Sequence, residues 1–206
     1  MFENYEIPDT GFYLRDTLTV SKDLLGKFLV RKFRSRYAAV KIVETEAYIG
    51  GHDPASHAFG RITKRNSVMY GPAGRAYVYF IYGNYFCFNT VCGKEGEGNA
   101  VLIRAGEPAA GSDLMKKYRP RPKNELELTN GPSKLCMALN IDLEMNSSDI
   151  TNPENSVFIA DSRKKDKFEI ITSKRIGLNK GSDFPYRFFI KDNPYVTRHK
   201  FNNVLL

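Results

Sequence analysis

The sequence predicts an α+β protein. It reads as one mixed domain over residues 1–206, with a curved, mostly antiparallel sheet and a protruding aromatic β-hairpin. Three observations lead there. Strand-like runs, several bounded by Gly or Pro, recur from Lys27 to Lys191 with only short helical stretches between them. Two aromatic runs flank Gly83-Asn84, a hairpin signal. No shift in composition marks a domain boundary, and 206 residues suffice for one domain with a real core.

In chain order, Ser21 is placed to cap a short helix through Asp23 and Leu25 that ends near Gly26. Lys27 to Phe33 follows as a strand. From Ala38 to Tyr48 the pattern alternates, so Val40, Ile42, Glu44, Glu46 and Tyr48 share one face. That face begins apolar and ends in two carboxylates and a tyrosine, as a strand running from a core into a polar pocket would. Gly50 to Gly74 is loop-rich. Tyr77 to Tyr82 and Tyr85 to Val91 form the hairpin, and Ala100 to Ala105 is a strand closed by Gly106 and Pro108. Pro132 opens a helix through Leu139, with Asn130 or Gly131 as its cap. Val157 to Ala160, Phe168 to Ile171 and Arg187 to Lys191 complete the strands.

Composition narrows the function classes. Hydrophobic residues make up 42% and charged residues 26%, as in soluble globular proteins, and no apolar run approaches the length of a membrane span. The start, MFENYEIPDTGF, lacks a secretory pattern. The three cysteines, Cys87, Cys92 and Cys136, form no CxxC, which disfavours a disulfide framework or structural zinc and fits a reducing compartment. The net charge of +8 favours a polyanionic partner. The cations fall in four groups, around Arg31–Arg36, Arg61–Arg65, Lys116–Lys123 and Arg163–Lys167. The two middle groups lie nearest the motifs below and are the better phosphate-contact candidates.

Four features carry chemistry. Glu44 and Glu46 could be general bases, metal ligands or a solvated edge. Tyr82 and Tyr85 flank the hairpin turn, where an aromatic in a basic protein could wedge between base pairs or stack on bases. Arg104 is a lone cation in an apolar strand, either snorkelling to solvent or holding a buried carboxylate ionised. His52, Asp53 and His57 match no firm metal-ligand spacing, so no metal site is expected.

The strings VETEAYIG, ASHAF, YVYFIYGNYFCFN, AVLIRAGEP, LTNGPSKLC and RIGL, in this order, resemble the alkyladenine DNA glycosylase family, the 3-methyladenine DNA glycosylases of the human alkylpurine type. The resemblance runs from about Leu24 to Val196. It implies an enzyme of base-excision repair that flips an alkylated or deaminated purine out of duplex DNA and hydrolyses its N-glycosidic bond. By this resemblance Glu46 is the general base that activates water, and Arg104 helps hold that water. The Ile176 backbone carbonyl completes the water's contacts. Tyr48, His57 and Tyr79 line the base pocket, Asn89 opposes a purine 2-amino group, and Tyr82 intercalates.

The resemblance further implies a monofunctional enzyme that needs no metal or organic cofactor. Its partner is double-stranded DNA holding a damaged purine, it acts as a monomer, and it has no membrane partner. Its location is the cytoplasmic nucleoid of a bacterium or the nucleus of a eukaryote. A strict two-residue turn would pair Tyr79 with Phe88 and put Asn89 on the opposite face. The family roles place both in one pocket, so a three-residue connection, Gly83-Asn84-Tyr85, or an equivalent bulge is expected to bring Tyr79 opposite Asn89. Two other readings compete: a metal-dependent nuclease using Glu44, Glu46 and Asp53, and a non-catalytic nucleic-acid-binding module.

Overall fold

The computed structural model describes residues 5–81, 83–163 and 166–203. In chain order its helices and strands are α1 (Thr10–Tyr13), α2 (Thr17–Asp23), β1 (Phe28–Phe33), β2 (Arg36–Tyr48), β3 (Ala76–Ile81), β4 (Tyr85–Cys92), β5 (Asn99–Ala110), α3 (Ser112–Tyr118), α4 (Pro132–Ala138), β6 (Val157–Ala160), β7 (Ile170–Ser173) and β8 (Arg187–Ile190), joined by loops and single 3-10 turns. The strands form one curled sheet in the order β3-β4-β5-β2-β1-β6, with β8 beside β2 and β7 beside β8. Every pairing is antiparallel, as the sequence predicted.

The long strand β2 organises the molecule. Along its first half, Arg36 to Lys41, it pairs with β1; from Glu44 to Glu46 that same edge is taken by β8. Its other edge pairs with β5 from Ala39 to Tyr48, with register shifts between Ala39 and Val40, between Ile42 and Glu44 and between Glu44 and Thr45. Bulges of this kind bend a strand and raise its twist. The bend separates the apolar half of β2 from the half that bears the carboxylates. Val40, Ile42 and Val43 join Val20, Leu24, Leu29, Ile103 and Leu135 in the main core, fully buried. The helices α2 and α4 cover this core, α2 against β2 and β5, α4 against β4 and β5.

Several elements differ from their sequence-based bounds. Ser21 is no cap: Asp16 caps α2, accepting from the Thr19 amide at 2.9 Å, and Ser21 is buried inside the helix, donating to Thr45 Oγ1. Strand β5 runs on through Gly106 and Pro108. A proline is tolerated there because β4 pairs only with Asn99 to Leu102, so beyond Leu102 no donor is needed on that side. The strand expected at Phe168 begins at Ile170. The helices α1 and α3 were not expected; α1 is capped by Asp9, whose side chain accepts from the Phe12 amide.

The hairpin register is also shifted. Strand β3 ends at Ile81 opposite Tyr85, so the three-residue connection is 82–84 rather than 83–85. Tyr79 pairs with Cys87, and Asn89 pairs with Tyr77. Because side chains alternate, Tyr77, Tyr79, Cys87 and Asn89 all stand on one face of the hairpin. Tyr79 and Asn89 thus share a face, two residues off the expected direct pairing.

The loop after β2 is pinned where the chain leaves the carboxylate-bearing half of the strand. The Gly50 amide donates to Asn99 Oδ1 at 2.9 Å. A Cβ at Gly50 would lie 2.4 Å from the Glu97 carbonyl oxygen and 2.8 Å from that of Gly98, backbone atoms that cannot swing aside. Gly50→Ala is therefore expected to cost about 1–3 kcal/mol as an overpacked site, read as a lower urea midpoint. An unchanged midpoint would mean that the 97–98 backbone yields freely.

Candidate active site

At the polar end of β2, Glu44 and Glu46 are both fully buried. Buried carboxylates survive only when paired, and these two share one cation. Arg104, across from them on β5, gives its Nε to Glu44 Oε1 at 3.1 Å and its Nη1 to Glu46 Oε1 at 3.2 Å. Glu44 also takes Arg187 Nε of β8 at 2.6 Å and, on Oε2, the Thr197 amide at 2.8 Å. Burial pushes the Glu44 carboxyl up, but Arg104, Arg187 and Thr197 more than reverse this and hold it below the usual carboxylate range. Burial likewise favours loss of the Arg104 proton, yet Glu46 first and Glu44 second raise it above the ordinary arginine value, so its charge is permanent.

Glu46 is held differently. Its Oε1 accepts the Ile176 amide at 2.8 Å as well as Arg104, and its Oε2 accepts the Tyr48 hydroxyl at 2.8 Å. Burial, with Glu46 beside it, raises Tyr48 well above the ordinary tyrosine value and keeps that hydroxyl a donor. A carboxylate offers about four lone-pair sites. Three are occupied here, and the remaining one is on Oε2. The structure therefore gives Ile176 a role the sequence did not suggest: its N–H orients the carboxylate.

Beside this network lies a cavity of about 560 Å³. Tyr48, His57, Tyr79, Asn89, Arg104 and Ile176 all line it. Every site residue named from the sequence within the described residues is thus at one place, with Glu46 held against Tyr48 and Arg104 of its wall. Tyr82, named as the intercalating residue, lies outside the described residues. Sequence reasoning missed Tyr77 and Cys87 on the same wall, which could have been read from the period-two spacing with Tyr79 and Asn89; Arg65, expected as a phosphate contact, also lines it.

The wall is aromatic. His57 meets the Tyr79 ring edge-on at 4.5 Å, and Tyr77 lies 5.3 Å from Tyr79. Burial raises both tyrosines, Tyr77 to about 12 and Tyr79 further, so both hydroxyls stay neutral. His57 Nδ1 and the Tyr77 hydroxyl share a hydrogen bond of 2.9 Å. Burial of the ring first, and the Arg65 charge second, push His57 down to about 4, although part of the residue is open to solvent. The ring is then neutral at pH 7. An imidazole NMR titration is expected to give His57 a midpoint below 6, rising in Arg65→Ala; a midpoint at or above 6.5 would contradict this reading. Asn89 is buried, its Nδ2 donating to the Tyr77 carbonyl at 3.0 Å.

A second ion pair stands behind the wall. Arg175 forks onto Asp53, with Nη2 to Oδ1 at 2.7 Å, and also donates to the carbonyls of Ala47 at 2.8 Å and Gly181 at 2.9 Å. Its guanidinium lies 4.6 Å from the centre of the Tyr48 ring. All three carboxylates considered as metal ligands, Glu44, Glu46 and Asp53, are thus engaged by guanidinium groups. Among the described residues, no group of three or more His, Cys, Asp and Glu side chains could hold a metal ion. No helix there is long and apolar enough to cross a membrane.

At the mouth, the 57–66 loop is tied together by Asn66, whose Nδ2 donates to the carbonyls of His57 and Arg61 at 2.6 and 3.0 Å. This sets the basic segment Arg61–Arg65 beside the pocket, with Arg65 5.2 Å from the Tyr79 ring centre. Phe80 and Tyr85, near the hairpin end, are 46% and 42% exposed.

Comparison with known proteins adds an independent finding. Residues 11–194 match the model of the methylpurine-DNA glycosylase family. A protein of Carboxydothermus hydrogenoformans named "Putative 3-methyladenine DNA glycosylase" is 49% identical over 187 residues, 91% of this chain and 96% of that one. Proteins given the same name in Alkaliphilus oremlandii and Francisella tularensis are 46% and 44% identical, covering 91% and 88% of this chain and 96% and 94% of theirs.

Proposed function

This chain belongs to the methylpurine-DNA glycosylase family, and from that premise we propose that it hydrolyses the N-glycosidic bond of alkylated or deaminated purines flipped from duplex DNA, with Glu46 as the general base. It is a DNA-repair hydrolase acting on N-glycosyl bonds. The observation that carries the finer reading is the state of Glu46. It is buried, and its three partners, Tyr48, Arg104 and Ile176, all line the cavity, so its one unfilled acceptor position, on Oε2, belongs to the carboxylate set against that space.

A base inside the stack cannot be attacked at its sugar from the required side, and a damaged, weakly paired base costs least to extrude. The cavity accepts the flipped purine, with Tyr48 and Tyr79 stacking on it and His57 at its edge. Electron-rich rings favour a cation, and 3-methyladenine in DNA is one. Asn89 opposes a 2-amino group, which disfavours guanine. Tyr82 fills the gap in the duplex, and Arg65, Phe80 and Tyr85 meet the DNA around it.

The bond breaks through an oxocarbenium-like transition state, as in sugar hydrolysis. The water sits between Arg104, the Ile176 carbonyl and Glu46. Its proton passes to the open position on Glu46 Oε2 as its oxygen reaches the anomeric carbon, and the carboxylate charge steadies the sugar cation. A cationic base departs with the bonding pair and becomes neutral, so it needs no general acid. The enzyme works as a monomer without a cofactor and leaves the DNA backbone intact.

The test is methylated duplex DNA incubated with the protein in EDTA. Free 3-methyladenine should appear, and strands should break only after alkali treatment. No base released from several alkylated substrates would sink the glycosylase reading. Strand cleavage that required added Mg²⁺ would favour a nuclease instead.

A further inference from the structure

Tyr48 lines the cavity, and the fully buried Arg175 guanidinium lies over its ring, 4.6 Å from the ring centre. Arg175 does not line the cavity. It is also 5.4 Å from the Tyr186 ring centre, so it is enclosed by aromatic faces. Its Nε is buried without a hydrogen-bond partner, so the guanidinium is not placed to satisfy every donor. The carboxylate in contact with it is Asp53, itself fully buried; Glu46 acts on its charge more weakly, from further away. Asp53 in turn accepts the Ala55 amide at 3.0 Å.

We propose that the Asp53–Arg175 pair sets the enzyme's preference for cationic over neutral lesions by fixing the charge behind the Tyr48 ring. This deepens the function proposed above and rests on Tyr48 stacking against the flipped base. A cation on the back of an aromatic ring competes for the same electron density that a cationic base would use on the front. Paired with Asp53, Arg175 presents no net charge, and Tyr48 remains a platform for a positive base. Without Asp53, the guanidinium would sit about 8 Å from a base stacked at van der Waals distance on the front face. At an effective dielectric of about 20, one unit charge at that range alters binding of another roughly tenfold or more. The same uncompensated charge would assist a neutral base, which leaves carrying negative charge. Both effects lower the cationic-to-neutral ratio. Asp53 and Arg175 touch no substrate; they act through Tyr48 as positioning residues.

The experiment measures single-turnover release of 3-methyladenine from methylated duplex and of hypoxanthine from a single-lesion duplex, on one preparation of each protein. The ratio of the two rates does not depend on how much protein is folded. Asp53→Asn is expected to lower the ratio roughly tenfold. Arg175→Gln, which leaves Asp53 as the unanswered charge, is expected to raise it. The double variant R175Q/D53N, neutral again, is expected to return within about threefold of wild type. A purely structural role would slow both substrates together and make the double variant the worst. If D53N does not fold, R175Q decides alone: an unchanged or lowered ratio overturns the proposal. If the wild-type protein releases neither base, the proposed function fails instead, so the two failures are distinct.

Discussion

Glu46→Gln is expected to lower the single-turnover rate of 3-methyladenine release by about 10³-fold or more, while binding to lesion-bearing duplex changes only a few-fold. General-base catalysis alone is worth about 10²–10⁴, and the lost carboxylate charge beside the sugar cation adds to it. The substitution is close to isosteric, and the site can accommodate it. The amide oxygen keeps the Ile176 N–H and Arg104 as donors, and the new NH2 group faces the Tyr48 hydroxyl, which can accept. A loss of turnover therefore reports chemistry rather than collapse. Wild-type turnover in this variant would remove Glu46 from the mechanism.

The second large effect is expected at Arg104. Arg104→Met leaves Glu44 and Glu46, both fully buried, without the guanidinium they share. Breaking a buried ion pair by removing one partner costs about 3–5 kcal/mol, so the variant should melt well below wild type and lose activity. The pH dependence separates this from simple loss of packing. In the wild-type protein Glu44 is held below its ordinary value, so its stabilisation is complete above about pH 4.3 and fades as pH falls through the lowered value. In R104M, two carboxylates faced by Arg187 alone cannot both stay ionised, and the pair takes up a proton on folding. Proton uptake on folding weakens stability as pH rises. The difference in melting temperature between wild type and R104M should therefore be larger at pH 7 than at pH 5. A difference independent of pH would refute the charge-sharing account.

The two arginines show what the sequence could reveal. Arg104 stood out because it interrupts an apolar strand, and its two readings, snorkelling or pairing, are decided by its contacts with Glu44 and Glu46. Arg187 carries the same signal in YRFFI and could have been found by the same argument. Arg175 could not: its partner Asp53 lies 122 residues away, and neither sits in a periodic pattern. The β2 alternation placed Glu46 and Tyr48 in a pocket, but the resemblance was needed to separate Glu46 from Glu44. In the structure each carboxylate has three partners, and the two differ in where those partners stand: Tyr48, Arg104 and Ile176, which hold Glu46, all line the cavity, whereas Arg187 and Thr197, which hold Glu44 with Arg104, do not. Helix and strand ends were misjudged where tertiary contacts decide them, as at Ser21, drawn into the helix by Thr45, and at Pro108, which lies beyond the last pairing of β5 with β4.

The exchange of neighbours along β2 has a consequence for how the protein is made. Glu44, Glu46, Tyr48 and Arg104 leave the ribosome early, yet β8, which brings Arg187 and closes the second half of β2, comes about 140 residues after the strand it joins. The Ile176 and Thr197 amides that hold the two carboxylates come equally late. Contacts this distant in sequence form slowly. Until they form, the two carboxylates lack the partners that their burial requires. A chain cut before residue 175 would therefore keep Glu46 and Arg104 but lack the Ile176 amide that orients the Glu46 carboxylate.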